Sequence, residues 1–294
     1  MNTPEHVPVL FNEVLSFLDP REGSVIVDCT LNGGGHTAGI VARGATVLGI
    51  EWDPSIARSF SQLHPELSGK VTVVNDSYVN LAAIVAAQGI VPSGILMDLG
   101  LSSVHYEAGR GFSFAHPDDP LDMRFNPETT TRTAGDIVNT ATPQELEHIL
   151  TEYGAEQFAG QIAAAVAISR RTAPFRTVGE LVRAIESAVP AWYRHRKLHC
   201  ATKTFQALRV VVNDELANVA AGIAAAVGVL APGGRLVVIS FQGDEDKIVR
   251  EYFKTKVKEG VVRWVQRATV RPAWSEISAN RRSRSAKLKV IEKL

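Results

Sequence analysis

The chain lacks the features that would place it outside a reduced, aqueous compartment. It has two cysteines, Cys29 and Cys200, too few and too far apart for a disulfide framework or a paired-cysteine metal site. Neither an oxidising compartment nor a bound metal is expected. Apolar runs long enough to span a bilayer are missing, and Met1-Asn-Thr-Pro-Glu-His6 has neither a basic nor an apolar region, so no membrane or targeting segment is expected. Internal repeats and low-complexity tracts are absent as well. With 45% hydrophobic and 21% charged residues over 294 positions, the composition is that of a folded protein, expected in the cytoplasm, with sequence enough for one large core or two ordinary ones.

Net charge is also missing, because 31 basic residues balance 31 acidic ones. The balance conceals segregation. Glu107 to Glu156 holds ten acidic residues and three arginines, whereas Gln157 to Arg209 holds nine lysines and arginines against two acids, a net +7. Arg281, Arg282, Arg284, Lys287 and Lys289 form a further basic group. Such groups suit phosphates. Solvated helix faces and strand edges give the same pattern, so charge alone leaves both readings open.

The chain is organised around Val25-Ile-Val-Asp-Cys-Thr-Leu-Asn-Gly-Gly-Gly-His36. A short β-branched run closes on Asp28, and three glycines then permit backbone angles that side chains disfavour before a helix begins near Thr37. This pattern cradles a nucleotide-type ligand at a helix N-terminus, or is simply a tight turn. A second apolar run, Thr46 to Ile50, ends in Glu51, a carboxylate placed to accept bonds from two ribose hydroxyls. G-x-G-x-x-G begun at Gly33 would need a glycine where Ala38 stands, which disfavours NAD. Asp28, five residues before Gly33, suits a ligand with an amino-acid ammonium.

Alternation continues with strands at Val71 to Val74 and Ile95 to Met97 and helices at Phe11 to Leu18, Ser55 to Leu63 and Leu81 to Gln88. It predicts a parallel, doubly wound α/β sheet with polar strand tips at Asp28, Glu51, Asn75 to Tyr78 and Asp98 to Ser103. Val104 to Asn126 reads as a long structured loop. Helices follow at Ala134 to Asn139, Pro143 to Tyr153, Glu156 to Arg170 and Val178 to Ala188, then one long helix over Thr204 to Leu230. Leu236 to Phe241 resumes the sheet, Asp246 to Lys256 is a helix, and Arg263 to Val270 with Lys287 to Ile291 forms a wide hairpin. Five parallel strands closed by such a hairpin favour a Rossmann-like methyltransferase over a dehydrogenase.

Seven runs stand out: His6-Val-Pro-Val-Leu10, Asp28 to His36, Asp98-Leu-Gly-Leu-Ser-Ser103, Arg110-Gly-Phe-Ser-Phe114, Pro120-Leu-Asp-Met-Arg124, Ala201 to Arg209 and Arg284-Ser-Ala-Lys-Leu288. In this order they resemble the RsmH (MraW) family, bacterial methyltransferases that modify N4 of a cytidine in the decoding region of small-subunit ribosomal RNA. The resemblance spans nearly the whole chain. It implies a seven-stranded S-adenosylmethionine-dependent methyltransferase domain, residues 1–105 and 212–294, with an inserted helical RNA-binding domain, residues 106–211. Its cofactor contacts fall on Gly34, Gly35, His36, Glu51, Tyr78, Asp98 and His105. Its partner would be small-subunit ribosomal RNA or the assembling 30S subunit, bound by a monomer or homodimer with no membrane and no metal.

Departures from the family pattern are specific. Glu51 stands where Asp is common, His105 where Gln is common and Tyr78 where Phe is frequent, and each keeps the hydrogen-bonding or stacking capacity. Ser240-Phe-Gln-Gly-Asp-Glu-Asp-Lys247 replaces Ser-Phe-His-Ser-Leu-Glu-Asp-Arg, which removes any proton transfer by that His. Cys200 takes the place of a common Pro, and Asn280-Arg281 of Asn-Pro.

An exocyclic cytosine amine is a poor nucleophile because its lone pair is delocalised into the ring. Asp98, accepting an N4–H bond, is the candidate catalytic residue; anchoring the cofactor or the turn is the alternative role. Arg194 to His199 is either a phosphate contact or a solvated connector. Phe112 and Phe114 either stack on a splayed base or pack in a core. A non-catalytic RNA-binding assembly factor with the same fold is the rival function.

Overall fold

The computed structural model describes residues 8–294. His6 and Val7 of the first family run therefore lie outside the described residues. The chain divides into two compact units, one within Met1–Gly100 and Leu216–Leu294 and the other Leu101–Glu215. Residues 106–211, expected as an insert, fall inside the second.

The first unit is built on strands β1 (Val25–Asp28), β2 (Thr46–Glu51), β3 (Val71–Asn75), β4 (Gly94–Asp98), β5 (Arg235–Ser240), β6 (Val262–Val270) and β7 (Lys287–Lys293). Their order is β3-β2-β1-β4-β5-β7-β6, parallel from β1 to β5, with β7 antiparallel to β5 and β6. This is the seven-stranded α/β sheet that the alternation predicts. In chain order the helices are α1 (Phe11–Leu18), α2 (Gly35–Val41), α3 (Pro54–Leu63) and α4 (Leu81–Gln88), then α5 (Ser103–Tyr106), α6 (Ala134–Thr140), α7 (Pro143–Gly154), α8 (Ala159–Ser169), α9 (Val178–Ala188), α10 (Ala191–Arg194) and α11 (Thr202–Val212). The chain continues with α12 (Glu215–Val229), α13 (Gly243–Lys258) and α14 (Trp274–Ala279). No single described helix is long and apolar enough to cross a membrane.

Strand side chains alternate between two cores. Ile26, Leu96, Val237 and Ile239 pack with α1 residues such as Val14 and Leu18 on one face. Val27, Ile95, Met97 and Val238 pack with Val219 and Ile223 of α12 on the other. Central strands covered on both faces must be apolar at every position, which is why β1 and β4 read as short unbroken runs. Polar residues then occur only where the strands end, so Asp28, Glu51, Asn75 and Asp98 share the carboxyl edge.

The second unit has its own core, including Met123, Ile137, Leu150, Ile162, Leu181 and Leu208. Thr133, Thr142 and Thr177 cap α6, α7 and α9, each in a reciprocal box with the acidic residue three positions on. The long loop starts later than expected, since Ser103–Tyr106 forms a helical turn. Its order comes from polar contacts: Arg124 grips Asp122 with two bonds of 2.7 Å, and Arg110 Nη1 donates to the Arg124 carbonyl at 2.9 Å.

The single helix expected over Thr204 to Leu230 is two. Asp214 takes a left-handed φ of 50°, and the Asn213 side chain donates to the Met123 carbonyl at 2.7 Å and accepts from the Phe125 N–H at 2.7 Å. These long-range bonds interrupt a segment whose apolar pattern is continuous.

Candidate active site

The glycine loop is stitched from beneath by the side chains that precede it. Asp28 accepts from the Thr30 N–H at 3.1 Å and from Thr37 Oγ1 at 2.7 Å. It is almost wholly buried, so it organises the turn instead of meeting a ligand ammonium, which corrects the expectation for this residue. Gly34 has a φ of 73°, and a Cβ there would come within 2.6 Å of the Phe60 ring. At Gly35 a Cβ would meet Pro8 at 2.4 Å. Both glycines are therefore required by the local packing, with α2 starting at the second.

Glu51 is tied to the same loop. Its Oε2 accepts from the Asn32 N–H and its Oε1 from the Asp53 N–H, each at 2.8 Å. Burial pushes its pKa up to about 7, against those two bonds, which favour the anion. Each oxygen keeps a second lone pair for a ligand hydroxyl.

Asp98, at the end of β4, donates its N–H to Thr30 Oγ1 at 2.8 Å. Its Oδ1 is buried and has no hydrogen-bond partner, while Oδ2 lies 3.7 Å from His36 Nε2. Burial first, then the negative charges of Asp28 and Glu245, raise its pKa to about 8. Glu245 is fixed by accepting the N–H groups of Phe241 at 2.9 Å and Gln242 at 3.0 Å at the start of α13. His36 is buried and stacks on Phe11 with centroids 6.1 Å apart. The acids Asp28 and Glu245 are the charges that act on Asp98, so a positive ligand beside it would favour its ionised form.

Tyr78, in a 3-10 turn after β3, lies against Gly222 of α12, where a Cβ would approach the ring to 2.5 Å. Gly34, Gly35, His36, Glu51, Tyr78 and Asp98 all belong to the first unit. His105 belongs to the second, where its Nδ1 accepts the Ser102 N–H at 3.2 Å and its ring contacts Phe112 and Phe125. Thr30, Asn32 and Thr37 are not singled out by the sequence reading, although Thr30 and Asn32 lie between Asp28 and α2 and Thr37 lies in the first turn of α2. Their signal was a run of short polar side chains at a strand-to-helix turn.

The family model for MraW methylases matches residues 3–294. The chain belongs to the MraW methylase family. The relatives named Ribosomal RNA small subunit methyltransferase H agree with it. That of Dehalococcoides mccartyi is 40% identical over 309 residues, covering 98% of this chain and 86% of its own. That of Carboxydothermus hydrogenoformans is 39% identical over 307 residues, covering 98% of each. That of Deinococcus radiodurans is 41% identical over 294 residues, covering 99% of this chain and 90% of its own. A solved rRNA methylase from Streptococcus thermophilus superposes with a TM-score of 0.45 at 12% identity, covering 99% of both chains. As a MraW methylase the protein takes S-adenosyl-L-methionine as cofactor, and the residues present fit it: tight glycines, a strand-tip acid, Glu51, with acceptor capacity left on both oxygens, and the orphaned oxygen of Asp98.

In the second unit, Arg171, Arg176, Arg183, Arg194 and Lys197 are exposed. The other basic residues of that segment serve the fold. Arg170 Nη1 donates to the Val138 carbonyl at 2.8 Å, Arg209 holds Glu215 with bonds of 2.7 and 2.9 Å, and Arg196 stacks 3.5 Å over Tyr193. Phe112 is core, stacked on Phe125, so its base-stacking role is withdrawn. Phe114 is partly exposed and stacks on His199 at 4.4 Å. Cys200, with Glu186 and His199, places ligand-type atoms within 4.8 Å of one another, a proximity invisible in the cysteine spacing.

Proposed function

We propose that this methylase modifies N4 of a cytidine in the decoding region of small-subunit ribosomal RNA, with Asp98 as the catalytic residue. The observation that carries the reading is the Asp98 carboxylate: one oxygen buried without a partner, at a strand tip, beside a glycine loop closed by Glu51. Gly34, Gly35, His36, Glu51, Tyr78 and Asp98 are assigned to cofactor binding. Bound there, S-adenosyl-L-methionine supplies an electrophilic methyl group on a sulfonium.

The protein's part is to make a weak nucleophile competent. Asp98 accepts an N4–H bond, which concentrates the amine lone pair on nitrogen and fixes the amine's direction. A positive ligand beside Asp98 favours its ionised form, so the carboxylate is generated where and when it is needed. The same oxygen then receives the proton that the methylated amine must lose, a transfer for which a pKa near neutrality is suited. Glu51 and the Asn32 N–H hold the loop while this occurs. The exposed arginines of the second unit bind the RNA backbone.

Methylation of small subunits isolated from cells lacking the protein, followed by nucleoside mass spectrometry, tests the substrate. N4-methylation appearing with the wild type and not with Asp98→Ala is the expected result. RNA binding without any transfer would leave the assembly-factor reading in its place.

A further inference from the structure

The excursion between β6 and β7 is pinned beside the glycine loop. Glu276 in α14 accepts the Leu10 N–H at 2.8 Å, and Leu10 is a buried leucine held at a left-handed φ of 53°. Two residues earlier Pro8 lies against Gly35, and one residue later Phe11 stacks on His36. The carboxylate of Glu276 thus links α14, through three neighbouring residues, to the rim of the candidate active site.

That excursion carries an unusual surface. Trp274 is 80% exposed at the first turn of α14. Arg271, Arg281 and Arg284 are exposed, with no ion-pair partner among the described residues. Glu276, the one acid from Arg271 to Ser285, is already bonded to Leu10. Lys287 and Lys289, by contrast, both pair with Asp246 inside the fold, unlike the exposed Arg281 and Arg284 of the same C-terminal basic group. An indole left in water contributes little to folding, and flanking guanidinium groups repel one another unless an anion lies between them. Aromatic platforms bordered by arginines are what single-stranded nucleic acid uses: a base stacks on the ring while the charges follow the phosphates.

We propose that Trp274 and Arg271, Arg281 and Arg284 form a docking site for the single-stranded RNA flanking the target nucleotide, with one base stacked on the indole. The site rests on the ribosomal RNA methyltransferase reading and adds a contact on the catalytic unit itself, separate from the basic helices of the second unit. Glu276 is a positioning residue here, since it holds the platform next to the loop that carries His36.

The test uses the full chain and a fluorescein-labelled RNA containing the decoding-region sequence, with anisotropy for RNA affinity and calorimetry for S-adenosyl-L-methionine. Trp274→Ala should weaken RNA binding about tenfold, within the range for loss of one base–aromatic stack, whereas Trp274→Phe should retain most of it. Cofactor affinity and melting temperature should not move, because the side chain is exposed. On small subunits the defect should appear in KM and leave kcat intact. Wild-type RNA affinity in Trp274→Ala, with methylation intact, overturns the docking site alone. A wild-type chain that neither binds nor methylates the RNA overturns the function on which it rests as well.

Discussion

Asp98 Oδ2 lies 3.7 Å from His36 Nε2, and neither residue reaches the other with a hydrogen bond of ordinary length. The gap separates the end of β4 from the start of α2, so a ligand on the glycine loop would meet both side chains. Burial and the neighbouring acids Asp28 and Glu245 disfavour the charged form of the Asp98 carboxylate in the ligand-free protein. Its energetics therefore depend on what is bound.

Asp98→Ala should lower turnover by at least about 10²-fold, a modest value for a group aimed at the reacting centre. Single-turnover rates and cofactor affinity measured on the same variant separate catalysis from anchoring. Retained binding with lost turnover fits a catalytic carboxylate; parallel losses would make Asp98 an anchor.

Cofactor affinity should rise with pH and level off above about 8. Asp98 and Glu51 have pKa values of about 8 and about 7 in the free protein, and a positive ligand favours their ionised forms. Calorimetry from pH 6 to 9 in buffers of different ionisation enthalpy should also show protons released on binding, roughly one or fewer per titrating group. In Asp98→Asn the upper limb of the pH dependence should vanish. An affinity that falls with pH would contradict this arrangement.

Stability without cofactor should carry the opposite signature. An acid whose folded pKa is raised holds its proton in the native state after the unfolded chain has released it, so its contribution to stability falls as pH rises from the ordinary 3.8 to about 8. Asp98→Asn removes the ionisation and so that loss, and should stabilise the ligand-free protein at pH 8 to 9 by roughly 1–3 kcal/mol, the lower end of the scale for a buried charge without a counter-charge. Denaturant titrations of both proteins at pH 5 and pH 8.5 measure the difference, which should be smaller at the lower pH, near the start of that window.

Glu51→Gln should weaken cofactor binding by about 1.5–3 kcal/mol, the worth of hydrogen bonds to a charged group. An amide can accept through only one of its two termini, so either Asn32 or Asp53 loses its partner and the glycine loop loosens. Proteolysis or hydrogen exchange at Asn32 to Gly35 reports the loosening directly. Unchanged affinity and unchanged exchange would remove Glu51 from the site.

RNA affinity should fall steeply with salt. Replacing Arg171, Arg176 and Arg183 together should reduce the slope of log affinity against log salt by about one for each phosphate no longer neutralised. The same charge removal at Arg170 and Arg209 should instead lower the melting temperature, because those side chains bond within the fold.

The order of elements was legible because it follows from local rules. Short apolar runs such as Val25 to Val27 and Ile95 to Met97 are buried on both faces wherever they pair, and Phe11 to Leu18 and Val178 to Ala188 repeat with the helical period. Gly34 and Gly35, Glu51 and Asp98 were recognisable for the same reason: a parallel sheet brings its strand tips to one edge, whatever the distance between them in sequence. What the fold alone decided involves partners remote along the chain. Asn213 breaks a continuous apolar helix because it bonds Met123 and Phe125, some ninety residues away. Asp28 looks like a ligand contact in sequence and becomes an interior strut once Thr37 reaches it. A basic residue likewise has the same appearance in sequence whether it is bonded within the fold, as Lys289 is to Asp246, or exposed, as Arg284 is. Backbone preference and hydrophobic period are properties of a segment, but the energy of a charge or a polar group depends on what surrounds it, and only the tertiary structure supplies those surroundings.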